Sequence, residues 1–297
     1  MFSKVSPQKL NDLLPYFQSK PKFALFANAA KFQIEKRLPN HPCDFYYLES
    51  SNAKYFYVFR HDHVPDTSRP ILMIGGDQSV NEDDVIFGLE QIKLVEPDLG
   101  NIELLVATSE LSVPARKFFI SEFNRSEDYN VACNNFYLPS SVYPQIQAKV
   151  DEITLPPSFN IGSTPLSYTE IVNSTWKFAT PETVLQIKEI IQRLPTACIS
   201  HKDQPVAFEM IGLHGQLNHQ YTFPEYRSRG FGGIIENTIV CKCFSEGIQV
   251  VKSVELSNEV VLKRSLEHPM WKVVQDENEK NIIFDYTQYH YNDYERH

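Results

Sequence analysis

The feature that most limits what this chain can fold into is a strand, a glycine-rich turn and a helix in series between Gln216 and Phe244. Polar and apolar residues alternate from Gln216 to Phe223, which predicts a strand; Gly230, Gly232 and Gly233 follow, and Ile234 to Phe244 reads as a helix. The first turn of a helix leaves backbone N–H groups without partners, and aligned peptide dipoles put partial positive charge there. A turn of this kind attracts phosphate. The glycines let a ligand reach the backbone, and Arg227 and Arg229 bring charge. A plain strand-to-helix connection, the other reading of this stretch, requires neither.

Arg227-x-x-Gly230-x-Gly232 fits the Q/R-x-x-G-x-G/A signature of the GNAT N-acyltransferase superfamily, whose loop holds the pyrophosphate of coenzyme A. The flanking Phe223-Pro224-Glu225-Tyr226-Arg227 extends the match, and the region from about Ser167 to Glu259 resembles the glycine N-acyltransferase family. That resemblance implies acyl-CoA as cosubstrate, with no permanently bound cofactor, and transfer of the acyl group to the amine of glycine or another small amino acid. It implies that Arg227, Ser228, Arg229, Gly230, Phe231, Gly232 and Gly233 cradle the CoA phosphates, and that main chain near Tyr221 and Phe223 pairs with pantetheine where the sheet splays. Ser257-Asn258-Glu259 occupies the position of another family motif, which adds Asn258 to the cofactor side; Ser257 as an ordinary helix cap is the competing reading. The resemblance also suggests mitochondria. Met1 to Leu25, with several lysines, Asp12 as its one acid and no arginine, is faintly presequence-like, and cytoplasm is the alternative.

A chain of 297 residues has room for two ordinary domains. The formal net charge of −9 argues against a general nucleic-acid surface. Five scattered cysteines, with Cys241 and Cys243 facing different sides of one helix, point to a reduced compartment and no metal site. No apolar run reaches the ~20 residues of a membrane span.

The order of elements repeats. Stripes through Leu10, Leu13, Leu14 and Phe17 and through Phe23, Phe26, Ala30 and Ile34 predict two helices. Strands over Phe45 to Leu48, Tyr55 to Phe59 and Ile71 to Ile74, a helix over Glu82 to Val95, a strand over Ile102 to Ala107, a helix over Pro114 to Phe123 and a strand over Val131 to Leu138 complete ααβββαβαβ. After a connection around Ser140 to Pro165 a helix starts at Thr180-Pro181, strands follow at Cys198-Ile199, Val206 to Ile211 and Leu217 to Phe223, and beyond the motif helix come a strand over Ile248 to Leu256, a helix after Ser257 and a hairpin of Trp271 to Val274 with Ile282 to Tyr286. The expectation is an α/β fold with mixed sheets, two tandem GNAT-like acyl-CoA N-acyltransferase copies divided as 1–145 and 146–297. The first copy carries Gly75-Gly76-Asp77-Gln78-Ser79-Val80-Asn81-Glu82-Asp83-Asp84 in place of the phosphate loop. Its four acids and lack of arginine would repel a pyrophosphate, so this copy is expected to be inactive.

The chemistry meets one difficulty. The resembled family places a glutamate base at the start of the fourth strand, where this chain has Gln216, and an amide cannot take the proton of an attacking ammonium. His214, Glu209 and Glu225 are the candidate substitutes, whereas His219 reads as a hydrogen-bonded core residue. Leu266 stands near where many superfamily members carry a tyrosine. Two functions remain open on the sequence: an N-acyltransferase working by direct attack in a ternary complex, and a non-catalytic acyl-CoA-binding protein that has lost its base. Acyl chain, acceptor and oligomeric state are not legible.

Overall fold

A computed structural model describes residues 1–289 apart from 52, 65–69, 78–79, 177–178 and 182. The chain opens with a short strand β1 (Phe2–Lys4) and helix α1 (Pro7–Gln18), which has Pro7 in its first turn and is capped by Ser6, whose Oγ accepts the Lys9 N–H at 3.2 Å. Helix α2 (Ala24–Ile34) precedes β2 (Cys43–Glu49), β3 (Lys54–Arg60) and β4 (Ile71–Gly76). Then come α3 (Glu82–Lys93), β5 (Leu104–Thr108), α4 (Ser109–Phe123) and β6 (Glu127–Tyr137). The ααβββαβαβ order is present. Helix α4 starts at Ser109 rather than at Pro114, which lies inside the helix at the cost of one backbone hydrogen bond, to Glu110 O.

The connection after β6 carries α5 (Tyr143–Asp151), β7 (Phe159–Gly162) and α6 (Thr169–Ser174), elements too short or too polar to leave a periodic signal. Then follow α7 (Thr183–Arg193), β8 (Thr196–His201), β9 (Gln204–Ile211), β10 (Leu217–Thr222), α8 (Phe231–Ser245), β11 (Val251–Glu255), α9 (Glu259–Leu266), β12 (Lys272–Val273) and β13 (Ile283–Tyr289). From α6 onward the ααβββαβαβ order is repeated, with the short β12 added before the last strand.

Among the described residues the strands make two sheets. One runs β1-β2-β3-β4-β5-β13-β6-β11 with β12 also beside β6; the other runs β10-β9-β8-β7. The expected closing hairpin is not a ladder. Its arms meet at one bridge, Gln275 with Asn281, and through the Ile282 N–H to Val274 O at 3.0 Å, while β12 and β13 each pair with β6 instead. Strand β13 thereby lies between β5 and β6, inside the sheet of the first half, and β6 in turn pairs along its other edge with β11 of the second half. The two halves exchange their last strands, so a cut at 145/146 separates two copies of an element order but not two sheets.

Aromatic side chains fill the first half. Phe17, Phe23 and Phe26 from α1 to α2 pack against Phe56 of β3, with the Phe17 and Phe56 rings 5.0 Å apart and the Phe23 and Phe56 rings 5.5 Å apart. Met1 to Leu25 therefore supplies core residues, and its removal would strip the packing from one face of that sheet. The second half has its own core, where Ile235 and Ile239 of α8 meet Ala207 and Ile211 of β9. All five cysteines are free, and Cys241 and Cys243 are buried.

Candidate functional site

The two sheets part between β10 and β11. Among the described residues each pairs with a strand on one side only, β10 with β9 and β11 with β6. At the same seam in the first half, β4 and β5 form a continuous parallel ladder from Ile71↔Leu104 to Ile74↔Ala107. The edge of β10 is interrupted further by a bulge: Asn218 faces Met210 but Tyr221 faces Phe208, and His219 takes φ of 54°. The extra residue turns Tyr221 onto the face of Asn218, and Thr222, opposite Ala207, onto the face of Leu217, opposite Ile211. The alternation expected from the sequence, with Leu217, His219, Tyr221 and Phe223 on one face and Gln216, Asn218, Gln220 and Thr222 on the other, thus fails beyond Asn218. His219 is a hydrogen-bonded, half-buried side chain with Nε2 2.9 Å from Thr175 Oγ1, and burial lowers its pKa to about 4.

The glycine turn leads from β10 into α8. Gly230 caps the helix at φ 79°, a backbone that L side chains resist, and no atom lies within 4 Å of where a Cβ would stand on Gly230 or Gly233. The N–H groups of Phe231, Gly232 and Gly233 have no acceptor among the described residues, and no side chain caps this helix. Arg227 and Arg229 are exposed beside them. Each is pinned at the base, Arg227 Nε by Thr222 O at 3.0 Å and Arg229 Nη2 by Glu225 O at 3.1 Å, so their charges stay near the loop. Ser228 adopts φ of 60° within the same turn. The counterpart loop in the first half differs at each point: Asn81 Oδ1 already accepts the Asp83 N–H at 2.9 Å, Glu82, Asp83 and Asp84 occupy the first turn of α3, and the Gln78 and Ser79 of that loop lie outside the described residues. A Cβ on Gly75 would meet Phe23 at 2.8 Å and Phe26 at 2.9 Å, so aromatic rings fill this seam.

Next to the open edge of β10 is a cavity of about 580 Å³ between the two halves. Its wall brings Gln216 together with Ser253 and Glu255 of β11, Tyr286 of β13, His214, and Arg60 of β3. Gln216 Oε1 lies 3.0 Å from Tyr286 Oη and 3.1 Å from Ser253 Oγ, the two hydroxyls are 2.6 Å apart, and Ser253 Oγ is 2.6 Å from Asn135 Oδ1. Two hydroxyl protons serve four contacts, so a small rotation of either hydroxyl redirects a hydrogen bond within the cluster. Burial raises the Tyr286 pKa and keeps it a neutral phenol, able to donate. Ser253 and Glu255 are two residues apart on one strand and share a face, so the carboxylate of Glu255 enters the cavity beside them.

The candidate bases fare differently. His214 lines the cavity, but its Nδ1 is 3.0 Å from Arg60 Nη1, and a guanidinium only donates, so Nδ1 is the acceptor and Nε2 carries the hydrogen. Burial and the Arg60 charge hold its pKa well below the usual value. No ring nitrogen is left to take a proton. Glu209 lies on the α8 side of β9, away from the cavity, where burial and Glu236 push its pKa up to about 8. It accepts from Gln220 Nε2 at 3.0 Å, and the same amide also donates to Gly232 O at 3.3 Å. Glu225 is exposed beside the turn, and Leu266 is half exposed at the end of α9. Asn258, not Ser257, caps α9 through Oδ1 and the Val261 N–H at 3.3 Å.

The sequence reading missed Ser253, Glu255, Tyr286 and Arg60 because they come from strands far apart in the chain. The one local signal was the alternation along β13, which sets Phe284, Tyr286 and Gln288 on one face.

A repeated ααβββαβαβ order in mixed sheets, a bulged strand at an open seam and a glycine-capped helix after it define a tandem GNAT-like α/β fold. The chain is similar to glycine N-acyltransferase from Homo sapiens, 29% identical over 114 residues that make up 37% of this chain and 38% of that one. The Bos taurus glycine N-acyltransferase is 28% identical over 120 residues, 38% of this chain and 40% of its own. The match thus spans about two-fifths of these curated relatives. A Drosophila protein solved by X-ray crystallography shares the fold over 98% of this chain and 99% of its own, with a TM-score of 0.74 at 16% identity. No family model matches the chain.

Proposed function

We propose that this protein is an acyl-CoA-dependent N-acyltransferase that acylates the amine of a small amino acid, glycine first among them. The observation that carries the reading is the open seam between β10 and β11 ending at unpartnered helix N–H groups, in a chain whose other half has that seam closed. In this reading the pyrophosphate sits on the N–H groups of Phe231, Gly232 and Gly233 with Arg227, Ser228 and Arg229 around it. Pantetheine extends the free edge of β10 near Tyr221 and Phe223, and the thioester reaches the cavity at Gln216. Similarity to glycine N-acyltransferases over 114 residues supports the same assignment.

The amine nitrogen attacks the thioester carbonyl, a C–N bond forms, and the C–S bond breaks as the tetrahedral adduct collapses. The ammonium must first lose a proton. Gln216 Oε1 orients that nitrogen by accepting a hydrogen bond, and Glu255 takes the proton directly or through a water. Tyr286 donates to the departing sulfur, so that CoA leaves as a thiol, and the second proton of the nitrogen, lost as the adduct collapses to the amide, restores the phenol through water. Asn258 is left as a helix cap, whose removal changes CoA affinity little.

Thiol release from a panel of acyl-CoAs with free amino acids, followed by mass spectrometry of the products, tests the reading. An acylated amino acid is the expected product, and its yield should fall at least ~100-fold in Glu255→Gln. Tight CoA binding without turnover of any amine would favour the non-catalytic acyl-CoA-binding reading. Mitochondrial residence rests on the family resemblance alone; imaging of the tagged full chain against mitochondrial and cytoplasmic markers decides it.

A further inference from the structure

Arg60 is the last residue of β3 in the half without a nucleotide loop, yet its side chain lines the cavity. It is 95% buried, with 5% of its surface exposed. Among the described residues no carboxylate lies within ion-pair distance of it, and its one hydrogen-bond partner is His214 Nδ1 at 3.0 Å, a neutral acceptor; Nε is buried with none. A guanidinium does not shed its proton at neutral pH. Asp62, Glu103 and Glu189 act on it only from beyond ion-pair distance, and a buried cation whose carboxylates stand off in this way is incompletely compensated. Such a group fits a ligand that brings the anion, and the planar fork of an arginine matches a carboxylate.

We infer that Arg60 receives the carboxylate of the amino-acid acceptor. The inference rests on the N-acyltransferase reading for the identity of the ligand. His214, which holds the guanidinium, and Gln216, which faces the reacting nitrogen, are two residues apart, at most about 7 Å of chain, and both line one cavity with Arg60. One small zwitterion can therefore touch both, its carboxylate at Arg60 and its nitrogen near Gln216 and Glu255. Glu103, also on the cavity wall, adds negative charge that disfavours a second carboxylate. Arg60 is accordingly a binding residue supplied by the first half to chemistry performed in the second.

The test compares glycine with glycinamide at saturating acyl-CoA, in wild type, Arg60→Gln and Arg60→Lys. Wild type should prefer glycine by at least ~100-fold in kcat/KM, Arg60→Gln should lose that preference mainly through KM, and Arg60→Lys should retain part of it. Equal use of glycine and glycinamide by wild type overturns the inference while leaving the N-acyltransferase reading intact. Should no amine be turned over, that reading fails, and thermal unfolding decides the inference alone: glycine should raise the Tm of wild type and glycinamide should not. Because that comparison uses wild type only, it stands even where Arg60→Gln fails to fold; equal stabilisation by both compounds overturns the inference.

Discussion

The two halves of this protein carry one order of elements and differ at one seam. In the first half β4 and β5 close as a parallel ladder, Phe23 and Phe26 occupy the space beneath Gly75, and acids with an asparagine cap finish the helix start. In the second half β10 and β11 part, the strand bulges at His219, and the helix start is bare glycine flanked by arginines. The difference teaches that the sheet of this fold is stable with the seam open or shut. What decides is the filling. A core of aromatic rings favours closure, whereas the open seam leaves main-chain groups that a ligand can satisfy.

The comparison can be broken most forcefully in the closed half. Phe26→Ala removes a buried ring from the cluster with Phe17 and Phe23 and should destabilise by about 3–5 kcal/mol in urea unfolding, without creating a second CoA site in calorimetry. A second site there would mean that the rings alone had blocked it. In the open half, Gly230→Asp puts a side chain and a negative charge at φ 79° against the bare helix start; CoA affinity should fall at least ~100-fold while circular dichroism is unchanged.

A third prediction concerns the buried Glu209, which stands where β3 of the first half is aromatic and apolar throughout Tyr55 to Phe59. Its pKa in the folded protein, about 8, is raised above the ordinary carboxylate value, so its contribution favours folding below pH ~4.5 and is lost as pH rises toward 8. Glu209→Gln should therefore gain stability relative to wild type across that window, most by pH 8, and little at pH 4. A pH-independent difference in Tm would remove the buried-carboxylate account. The smallest effect is expected at Gln216. Gln216→Glu puts a carboxylate within reach of Ser253 and Tyr286 and should raise turnover with glycine about 10-fold near neutral pH, where little amine is free, and less above pH ~9. If turnover falls instead, the neutral amide is needed to hold the amine, and a second carboxylate beside Glu255 only misplaces it.

The loop, the strand before it and the repeated order were legible because each is written in consecutive residues: three glycines, two arginines, a period of two, a period near 3.6. The bulge was not, since one extra residue in a strand changes no composition and shows only against its partner, here in the shift from Asn218↔Met210 to Tyr221↔Phe208. The base position was readable as a departure at Gln216 but not as a site. Its neighbours Ser253, Tyr286 and Glu255 arrive through pairing of β11 and β13 with β6, and no local pattern specifies which distant strands meet. Arg60 was invisible for the same reason. His214 was a fair candidate until a guanidinium was found on its Nδ1.

Insertion of β13 between β5 and β6 also sets an order of events during synthesis. The first half leaves the ribosome with the centre of its sheet missing, its β5 and β6 edges unpaired until residues 283–289 have been made. A nascent chain stalled before that point would display two adhesive strand edges, and its exposure time is the time needed to translate the entire second half. Chaperone dependence should therefore track elongation speed across 146–282, a stretch that contributes few residues to the first core, and synonymous changes that slow translation there should lower soluble yield with no change in the protein's sequence.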